Sequence, residues 1–552
     1  MIMKTRYILA TALLALAASS CTDLDVDVKS KLTEYPSSEI AMEGKMADAY
    51  YAFRKPLGNN YNRYQTFSSD EASGLSFDGD YYDGAENVNP TLHTFQANNT
   101  PGNWWSDLAS GITKCNKLIN ELADDTTALS KRYVANLRTV RAFYHFILMD
   151  SYGDVPILNK IYDSNEVIER QPRKMVAEFI EKELVESLPE LSTANDASTY
   201  GKPNKWMAEA LLVKLYMNWG VYTCGNVADY DPATTANQKL NEAVKYCDEI
   251  VKSGLFNLSD NYREKFLYNN GYQIKDFIYA MPYDCVTDYK SEEGNYYGRY
   301  RTFRKIDSGT PTGYYSGKMS NSCAGICAMN PEFADLFTLK GDERNKCVLS
   351  GKVFMHDAIT GEETGVPYLY KGQQLEFTKT LTLKEGGEAQ LNAGATYDGW
   401  RQGYRSIKFY PNPTEYSKYA RCQSNDVPIF RYADILLEKA EAILRGATAT
   451  NGDTPQSLFN QIRAYVNAPL LDHTPSLKEL LDERGREFFD ENWRRNDMIR
   501  FGTFESEYGF HRHDFPGANF DKRHRIFPVP QKIMNENTNW KQNEGYEEGR
   551  MY

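Results

Sequence analysis

Aromatic side chains stand beside acidic, amide or guanidinium groups in several stretches of the sequence that have the composition of loops. Such sets suit polyhydroxylated rings, because ring C–H faces pack on aromatic planes while hydroxyl groups need Asp, Asn, Arg or Tyr partners. The pattern predicts ligand contacts from Tyr81, Tyr82, Asp83, Asn103, Trp104, Tyr296, Tyr297, Arg299, Tyr300 and Tyr315. The alternative for each ring is that it folds its loop onto the core, since large aromatic residues also dominate interiors.

The two adjacent tryptophans, Trp104 and Trp105, are predicted to have different roles, one in the core and one in ligand binding. Trp105 begins a stripe of apolar residues at helical spacing, continued by Leu108 and Ile112, so it is assigned to the core. Its neighbour Trp104 must then point elsewhere on the helix, which makes it a ligand candidate.

Other residue groups give no catalytic or metal site. Asp78, Asp80 and Asp83 could gather calcium, but the twelve-residue calcium loop pattern is missing, and a solvated acidic turn is the preferred interpretation. His511 and His513 lack a third fixed ligand. No G-x-S-x-G or H-E-x-x-H motif is present, and nothing singles out two carboxylates as a glycosidase pair. We predict no catalytic residue, no metal ligand and no cofactor.

The charge balance argues against nucleic acid as a partner. The chain of 552 residues has 63 Lys and Arg against 75 Asp and Glu, a net charge of −12, with no basic cluster. Eight cysteines follow Cys21, too sparsely for a disulfide scaffold, and the sequence leaves open whether they are free or bridged.

The first 20 residues have the pattern of a secretory signal peptide. Lys4 and Arg6 precede an apolar run over residues 7–18, which is too short to span a bilayer core of about 30 Å as a helix. We therefore exclude residues 1–20 from the fold.

Cys21 follows small residues at 18–20, as in a bacterial lipobox, although Ala18 stands where the pattern usually has Leu. Asp23, Asp25 and Asp27 then alternate, and this acidic stretch resembles the surface-export signal of Bacteroidetes lipoproteins. We expect lipidation of Cys21 and anchoring in the outer membrane, facing the cell exterior. The alternative is an ordinary signal peptide with a chance cysteine.

The mature chain alternates helical pairs with irregular stretches. Apolar residues at three- and four-residue steps predict helices over residues 40–53, 105–119, 137–152, 175–188, 206–217, 240–251, 429–444, 458–466 and 477–488. The helix from Leu137 should stop before Gly153 and Pro156, and Ser476 with Glu479 fits a capping box. Paired helices of this length are the unit of tetratricopeptide-like solenoids.

Two other stretches are predicted to be irregular. Residues 61–100 look like a loop, and residues 255–425 form a Gly- and Tyr-rich insertion with short β segments such as 379–383. So long an insertion in a compact domain is expected to carry function. The predicted organisation is a single domain over residues 21–552, with helix-pair regions at about 39–254 and 427–492 and the ligand-side insertion at about 255–425.

Six sets of residues, in order along the chain, resemble the SusD-like (RagB-type) outer-membrane nutrient-binding lipoproteins of Bacteroidetes. They are CTDLD at 21–25; Trp105 with Asn116; RAFY at 141–144 with YGDVP at 152–156; VPIFRYADILLEKAE at 427–441; ERGREFF at 483–489 with WRRND at 493–497; and FPVP at 527–530 with QNEGY at 542–546.

This resemblance implies a mainly α-helical SusD-like fold with four tetratricopeptide-like helix pairs and a large loop-rich half that carries ligand. It further implies a non-catalytic protein that binds an oligosaccharide or polysaccharide and delivers it to a SusC-like TonB-dependent transporter. The alternatives from other classes are a surface glycoside hydrolase and a purely structural scaffold.

Overall fold

Helices dominate the fold, as the sequence predicts. The computed structural model describes residues 39–291, 293–298, 324–357, 360, 362–370, 372–506 and 521–550. The described residues divide into two units between Ala47 and Asp48. The helices are α1 (Glu39–Tyr50), α2 (Arg54–Gly58), α3 (Asn60–Phe67), α4 (Val88–Leu92), α5 (Asn103–Glu121), α6 (Ala128–Tyr152), α7 (Arg173–Ser187), α8 (Lys205–Met217), α9 (Trp219–Thr223), α10 (Leu240–Lys252), α11 (Cys285–Ser291), α12 (Pro331–Ala334), α13 (Tyr397–Trp400), α14 (Pro413–Lys418), α15 (Tyr432–Leu444), α16 (Pro455–Tyr465), α17 (Leu477–Phe488), α18 (Arg494–Phe501) and α19 (Gln531–Glu536). Across these ranges no helix combines the length and the apolar character that crossing a membrane requires.

The strands are short and pair two by two. They are β1 (Ala72–Gly74), β2 (Phe277–Met281), β3 (Cys327–Met329), β4 (Val348–Leu349), β5 (Gly351–Lys352), β6 (Phe354–His356), β7 (Glu363–Pro367), β8 (Leu369–Tyr370), β9 (Gln373–Gln374), β10 (Glu376–Phe377), β11 (Arg405–Ser406) and β12 (Val427–Arg431). The pairs, all antiparallel, are β1 with β3, β2 with β12, β4 with β11, β5 with β10, β6 with β7 and β8 with β9.

Helix α6 is the longest in the described residues and has defined ends. The Thr127 side chain accepts a hydrogen bond from the Ser130 N–H at its start, and Gly153 ends it with a φ of +77°. The predicted stop is confirmed, whereas the start lies nine residues before Leu137. From Leu137 to Tyr152 all residues except Arg138 are buried, so the helix is enclosed on every side and not along one stripe.

Three helix pairs form as predicted, α6 with α7, α8 with α10 and α15 with α16, and α6 also packs against α5. Arg141 on α6 explains two of the recognised motifs, because its guanidinium donates to Asn116 Oδ1 on α5 at 2.7 Å and to the Glu183 carboxylate on α7. The Ser476 capping box is also confirmed, with Glu479 Oε2 accepting from the Ser476 N–H at 2.8 Å.

Three local predictions are wrong. Residues 429–431 belong to strand β12, not to the following helix, because they pair with β2 in a register that sets Val427 opposite Met281. Residues 61–67 are helical in α3. Residues 379–383 are not a strand; the strand β10 ends at Phe377 instead.

The loop-rich half has a hydrophobic core of its own. This loop-side core joins buried residues far apart in sequence, from Phe67 and Phe77 to Tyr416: the others include Leu75, Ile326, Leu375, Leu391, Trp400, Ile407 and Tyr410. Because the described parts of the insertion fold around this core, their irregular backbone holds defined positions.

The motifs in 427–441, 483–489 and 493–497 build a network of ion pairs inside the protein. Its members share almost complete burial: Lys214, Lys265, Asp276, Arg344, Lys408, Arg431, Asp434, Glu438, Glu441, Glu483, Arg484, Glu487, Glu491, Asp497 and Arg500. Burial alone would raise the pKa of Glu483, but Arg344, Arg486 and Arg463 outweigh it and hold the pKa at about 2. These motif residues therefore serve the fold.

The seven cysteines in the described part of the chain are free thiols, and Cys323 lies outside the described residues. Six of the seven are buried. Burial raises the pKa of Cys115 and of Cys422 to about 12, which keeps both thiols protonated at neutral pH.

Candidate functional site

A turn over residues 77–86 contains the first predicted ligand residues and lies against the segment 384–401. Phe77 anchors the turn to the loop-side core by stacking on Trp400, with ring centroids 3.6 Å apart and planes at 16°. The Phe77 and Asp80 backbones bond to each other across the turn, which brings the residues between them to the surface.

Asp78 locks the turn to the neighbouring segment. Its Oδ2 accepts from the Ala395 N–H at 2.9 Å, and its Oδ1 accepts from Lys384 Nζ at 2.8 Å and from Asn392 Nδ2 at 3.2 Å. The Ala395 N–H, followed by Lys384 and Asn392, lowers the pKa of Asp78 to about 2. Because both carboxylate oxygens accept hydrogen bonds from the 384–395 segment, Asp78 stabilises the position of the turn.

The turn has an unusual backbone. Four residues other than glycine have positive φ: Asp78 at 51°, Tyr81 at 59°, Asp83 at 43° and Ala85 at 72°. Each such residue costs of order 1 kcal/mol or more, and clusters of them occur at ligand clamps and other functional sites. An ion pair of 2.5 Å between Arg63 on α3 and Glu86 fixes the end of this strained turn.

The turn presents aromatic surface with acidic neighbours. Tyr81 and Tyr82 are half-buried, with one side against the loop-side core, and Asp83 is exposed next to them. Tyr296, from the second predicted group, is half-buried against the same core, and its N–H bonds to the Gly58 carbonyl at 3.2 Å. The structure thus brings members of two predicted groups onto one hydrophobic core.

Sequence reasoning missed two further tyrosines that pack against this core. Tyr397 and Tyr404 are partly buried against the loop-side core. Beside Tyr397, Arg401 lies 5.5 Å from the ring centroid and pairs with Asp398 at 2.9 Å. The run Tyr397-Asp-Gly-Trp-Arg401 has the same aromatic and charged composition as the chosen groups and could have been selected on that signal.

Trp104 does not point away from the core, so its predicted orientation is wrong. The side chain is 0% exposed and stacks with Tyr152 at 5.7 Å, while Tyr61, Tyr64 and Phe527 surround it. The reason is that α3 and the C-terminal segment, through Tyr61, Tyr64 and Phe527, cover the side of the first turn of α5 that carries Trp104. Asn103 is half-exposed, and its Oδ1 accepts from the Trp104 N–H at 3.0 Å.

Tyr297 is also part of the interior. It is 1% exposed, its hydroxyl oxygen accepts from Asn492 Nδ2 at 2.7 Å, and its ring meets Phe409 edge-on at 4.9 Å. Arg299, Tyr300 and Tyr315 lie outside the described residues, as does Cys21.

The surface around the 77–86 turn can hold a ligand by stacking and hydrogen bonding. Partly exposed tyrosine rings offer apolar faces, and neighbouring carboxylates and a guanidinium offer acceptors and donors for hydroxyl groups. Within the described ranges, no group of three or more His, Cys, Asp or Glu side chains is arranged to hold a metal ion.

Two family models match the chain. Residues 24–217 match the family described as starch-binding associating with outer membrane, and residues 364–546 match the SusD family. Together the two models cover more than half of the 552 residues.

Individual proteins resemble the chain over most of its length. The starch-binding protein SusD of Bacteroides thetaiotaomicron is 25% identical over 463 residues, which is 80% of this chain and 77% of that protein. A laminarin binding SusD-like protein has a similar fold, with a TM-score of 0.69, 22% identity and coverage of 92% of this chain and 100% of its own. The surface glycan-binding protein A from Bacteroides fluxus has a TM-score of 0.67, 20% identity and coverage of 93% and 100%.

Five of the six motif sets lie inside the two matched ranges, and the similar folds cover 92% or more of the chain. The chain therefore belongs to the SusD-like family.

Proposed function

We propose that this protein binds a glycan at the cell surface and delivers it to a SusC-like TonB-dependent transporter in the outer membrane, without cleaving it. The observation that carries the proposal is family membership together with the names of relatives: one is a starch-binding protein, another binds laminarin, and one family description mentions association with the outer membrane.

The proposed binding surface is centred on the 77–86 turn. Tyr81, Tyr82 and Tyr296 would stack on sugar rings, and Asp83 would accept hydrogen bonds from hydroxyl groups, because these side chains are at least partly exposed around one core. Asn103, Arg299, Tyr300 and Tyr315 remain proposed contacts. Trp104 and Tyr297 belong to the interior, and we propose that they support the fold.

The first experiment is a binding screen of the purified mature chain against soluble starch, laminarin and other polysaccharides by affinity electrophoresis, followed by calorimetry with oligosaccharides. The proposal expects retention by at least one glycan and no release of reducing ends on long incubation. Product release would support a glycoside hydrolase. Co-purification with a transporter without binding to any glycan would support a scaffold.

Replacing Tyr81 and Tyr82 together by alanine should weaken binding of the glycan found in the screen by about tenfold or more. Two stacking faces are lost, and aromatic residues at the centre of a binding site are often worth more than about 1.4 kcal/mol each. Both rings are only half-buried, so the unfolding midpoint should change little.

The matched control is Tyr272→Ala, because Tyr272 is 57% exposed and lies outside the loop-side core. Calorimetry should give the control the wild-type affinity. Equal affinity in the double variant and the wild type would remove the 77–86 turn from the proposed site.

Replacing Cys21 by alanine should release the protein from the membrane fraction. A lipidated cysteine is the anchor that the 18–21 pattern predicts, and a cleaved protein without lipid has only its folded surface to hold it. Fractionation with immunoblotting measures the change, with Cys224→Ala as the control cysteine. Unchanged membrane retention of the Cys21 variant would contradict lipid anchoring.

A further inference from the structure

A cleft of about 440 Å³ lies where α6 ends and α7 begins. Four segments form most of its walls: residues 153–154, 169–173, 225–227 and 539–544. We name it the α6–α7 cleft. The volume is in the range of small-molecule sites, and none of the proposed glycan contacts lines it. The α6–α7 cleft is therefore a candidate binding site distinct from the 77–86 turn.

Arg173 stands in the wall with donors that the protein does not use. The residue is only 5% exposed, its N–H bonds to Asp154 Oδ1 at 2.8 Å, and its Nη2 donates to the Val221 carbonyl. Nε and Nη1 have no hydrogen-bond partner among the described residues. Arg173 lines the cleft, and neither atom is sealed from solvent, so the cleft gives a ligand access to an unused donor of this guanidinium.

No ion pair with a carboxylate of the described residues neutralises this guanidinium. Burial lowers the pKa of Arg173, and the partial compensation comes from Cys224, Tyr222 and acidic groups that do not bond to the guanidinium. The neutral partners of the guanidinium are the Val221 carbonyl, the Cys224 sulfur at 3.4 Å and the Tyr222 ring, whose centroid lies 5.9 Å from Cζ. A buried cation without an anionic partner is unfavourable, and a bound anion would reduce that cost.

Arg170 keeps the wall in place. Its Nε donates to the Asp154 carbonyl at 2.8 Å, its Nη1 donates to the Lys541 carbonyl at 2.6 Å, and its Nη2 donates to Asn543 Oδ1. This guanidinium joins the end of α6 to the C-terminal segment. The cleft is consequently a built feature that involves the YGDVP and QNEGY motifs.

The rim carries groups of both signs. Lys541 and Arg523 supply positive charge, whereas Glu169 and Glu544 supply carboxylates, of which Glu544 accepts from Asn226 Nδ2 at 2.7 Å. Hydroxyl groups both donate and accept, so a rim with donors and acceptors suits a hydroxylated ligand. A plain inorganic anion would use the cations alone.

We propose that the α6–α7 cleft binds a small sugar that carries a carboxylate, with the carboxylate accepting a hydrogen bond from an unpaired N–H group of Arg173. The ring hydroxyls meet the charged groups of the rim. This is a second site, independent of the glycan surface at the 77–86 turn.

The test uses D-glucuronate, D-glucose and acetate as probes in calorimetry at constant ionic strength. D-Glucose has a hydroxymethyl group in place of the carboxylate, and acetate lacks the hydroxylated ring. Glucuronate should bind at least about tenfold more tightly than either and should alone raise the melting temperature. Equal or undetectable binding of the three probes would overturn the proposal.

Two variants connect the binding to the cleft. Arg173→Gln removes the buried charge and should weaken glucuronate binding about 30-fold or more. Because that change also alters the bond to Val221, Lys541→Glu is the second variant; Lys541 is exposed, and the reversed charge should weaken binding several-fold.

The control is Lys340→Glu, which makes the same charge reversal at an exposed lysine outside the cleft and should leave glucuronate affinity unchanged. Equal affinity in the Lys541 and Lys340 variants would overturn the assignment to this cleft. The Tyr81→Ala/Tyr82→Ala variant should retain glucuronate binding, so failure of this proposal and failure of the proposed glycan surface give different results.

Discussion

Replacing Arg431 by alanine is expected to lower the free energy of unfolding by about 3–5 kcal/mol, because it leaves buried carboxylates without their shared partner. Arg431 is 1% exposed, and its guanidinium lies 2.6 Å from Asp276, 2.8 Å from Glu487 and 2.8 Å from Glu491. Without Arg431, Asp276 would keep its ion pair with Lys265, and Glu491 would keep its ion pair with Lys408. Urea denaturation followed by circular dichroism measures the loss.

The matched control for this prediction is Lys478→Ala. Lys478 pairs with Asp482 at 2.7 Å on the surface of α17, where the lysine side chain is 82% exposed, and such pairs contribute about 0.5 kcal/mol or less. If Arg431→Ala lowers the free energy of unfolding by less than about 1 kcal/mol, water or local rearrangement compensates the carboxylates. That result would contradict the prediction that the network excludes water.

Glu441 and Glu483 of the same network should make stability fall in acid. The pKa of Glu441 and of Glu483 is about 2 in the folded protein, where burial alone would raise it and neighbouring arginines outweigh that effect. Because these folded values lie below the ordinary glutamate pKa of about 4.3, their contribution is complete above that pH. It is lost as the pH falls from about 4 towards 2.

Replacing Trp104 by alanine is expected to destabilise the fold by about 3–5 kcal/mol, the usual cost of truncating a buried aromatic residue to alanine. The fully buried ring joins α5 to Tyr152 at the end of α6, to Tyr61 and Tyr64 on α3 and to Phe527. Loss of the ring would leave a cavity among these side chains. The thermal unfolding midpoint and urea denaturation measure the effect.

Trp104→Phe is the companion variant, because it retains an aromatic ring and should cost less than the alanine change. Glycan affinity of the folded Trp104→Phe protein should match the wild type, since the side chain has no exposed surface. A stable Trp104→Ala protein with lost glycan binding would instead return Trp104 to the ligand site.

Local sequence signals predicted the helices well. The spacing of apolar residues, the Ser476 capping box and the Gly153 stop act within a few residues of each other, and they locate the long helices, although α6 begins nine residues before Leu137 and α3 was missed. The strand at 427–431 escaped prediction because its partner, β2, lies about 150 residues earlier in the chain. Such long-range pairing overrides local preference.

Local composition identified only some residues of the candidate site, because it does not show which side chains are buried. Composition selected Tyr81, Tyr82, Asp83 and Tyr296, and the structure places them around one core. Composition also selected Trp104 and Tyr297, which are buried, since an aromatic residue beside polar ones has the same local pattern in a core as on a surface. The strained backbone of the 77–86 turn depends on contacts with residues 384–395 and had no local signature.

The amino-acid sequence was sufficient for the helix pairs, for the family and for the chemical class of the proposed ligand contacts, because periodicity, caps and motif order are properties of the chain. The burial of individual side chains was decided only by the tertiary structure. Whether Trp104 faces ligand or core, whether Arg431 is paired, and whether Arg173 opens into a cleft depend on segments about 20 to 420 residues away, and only folding brings those segments together.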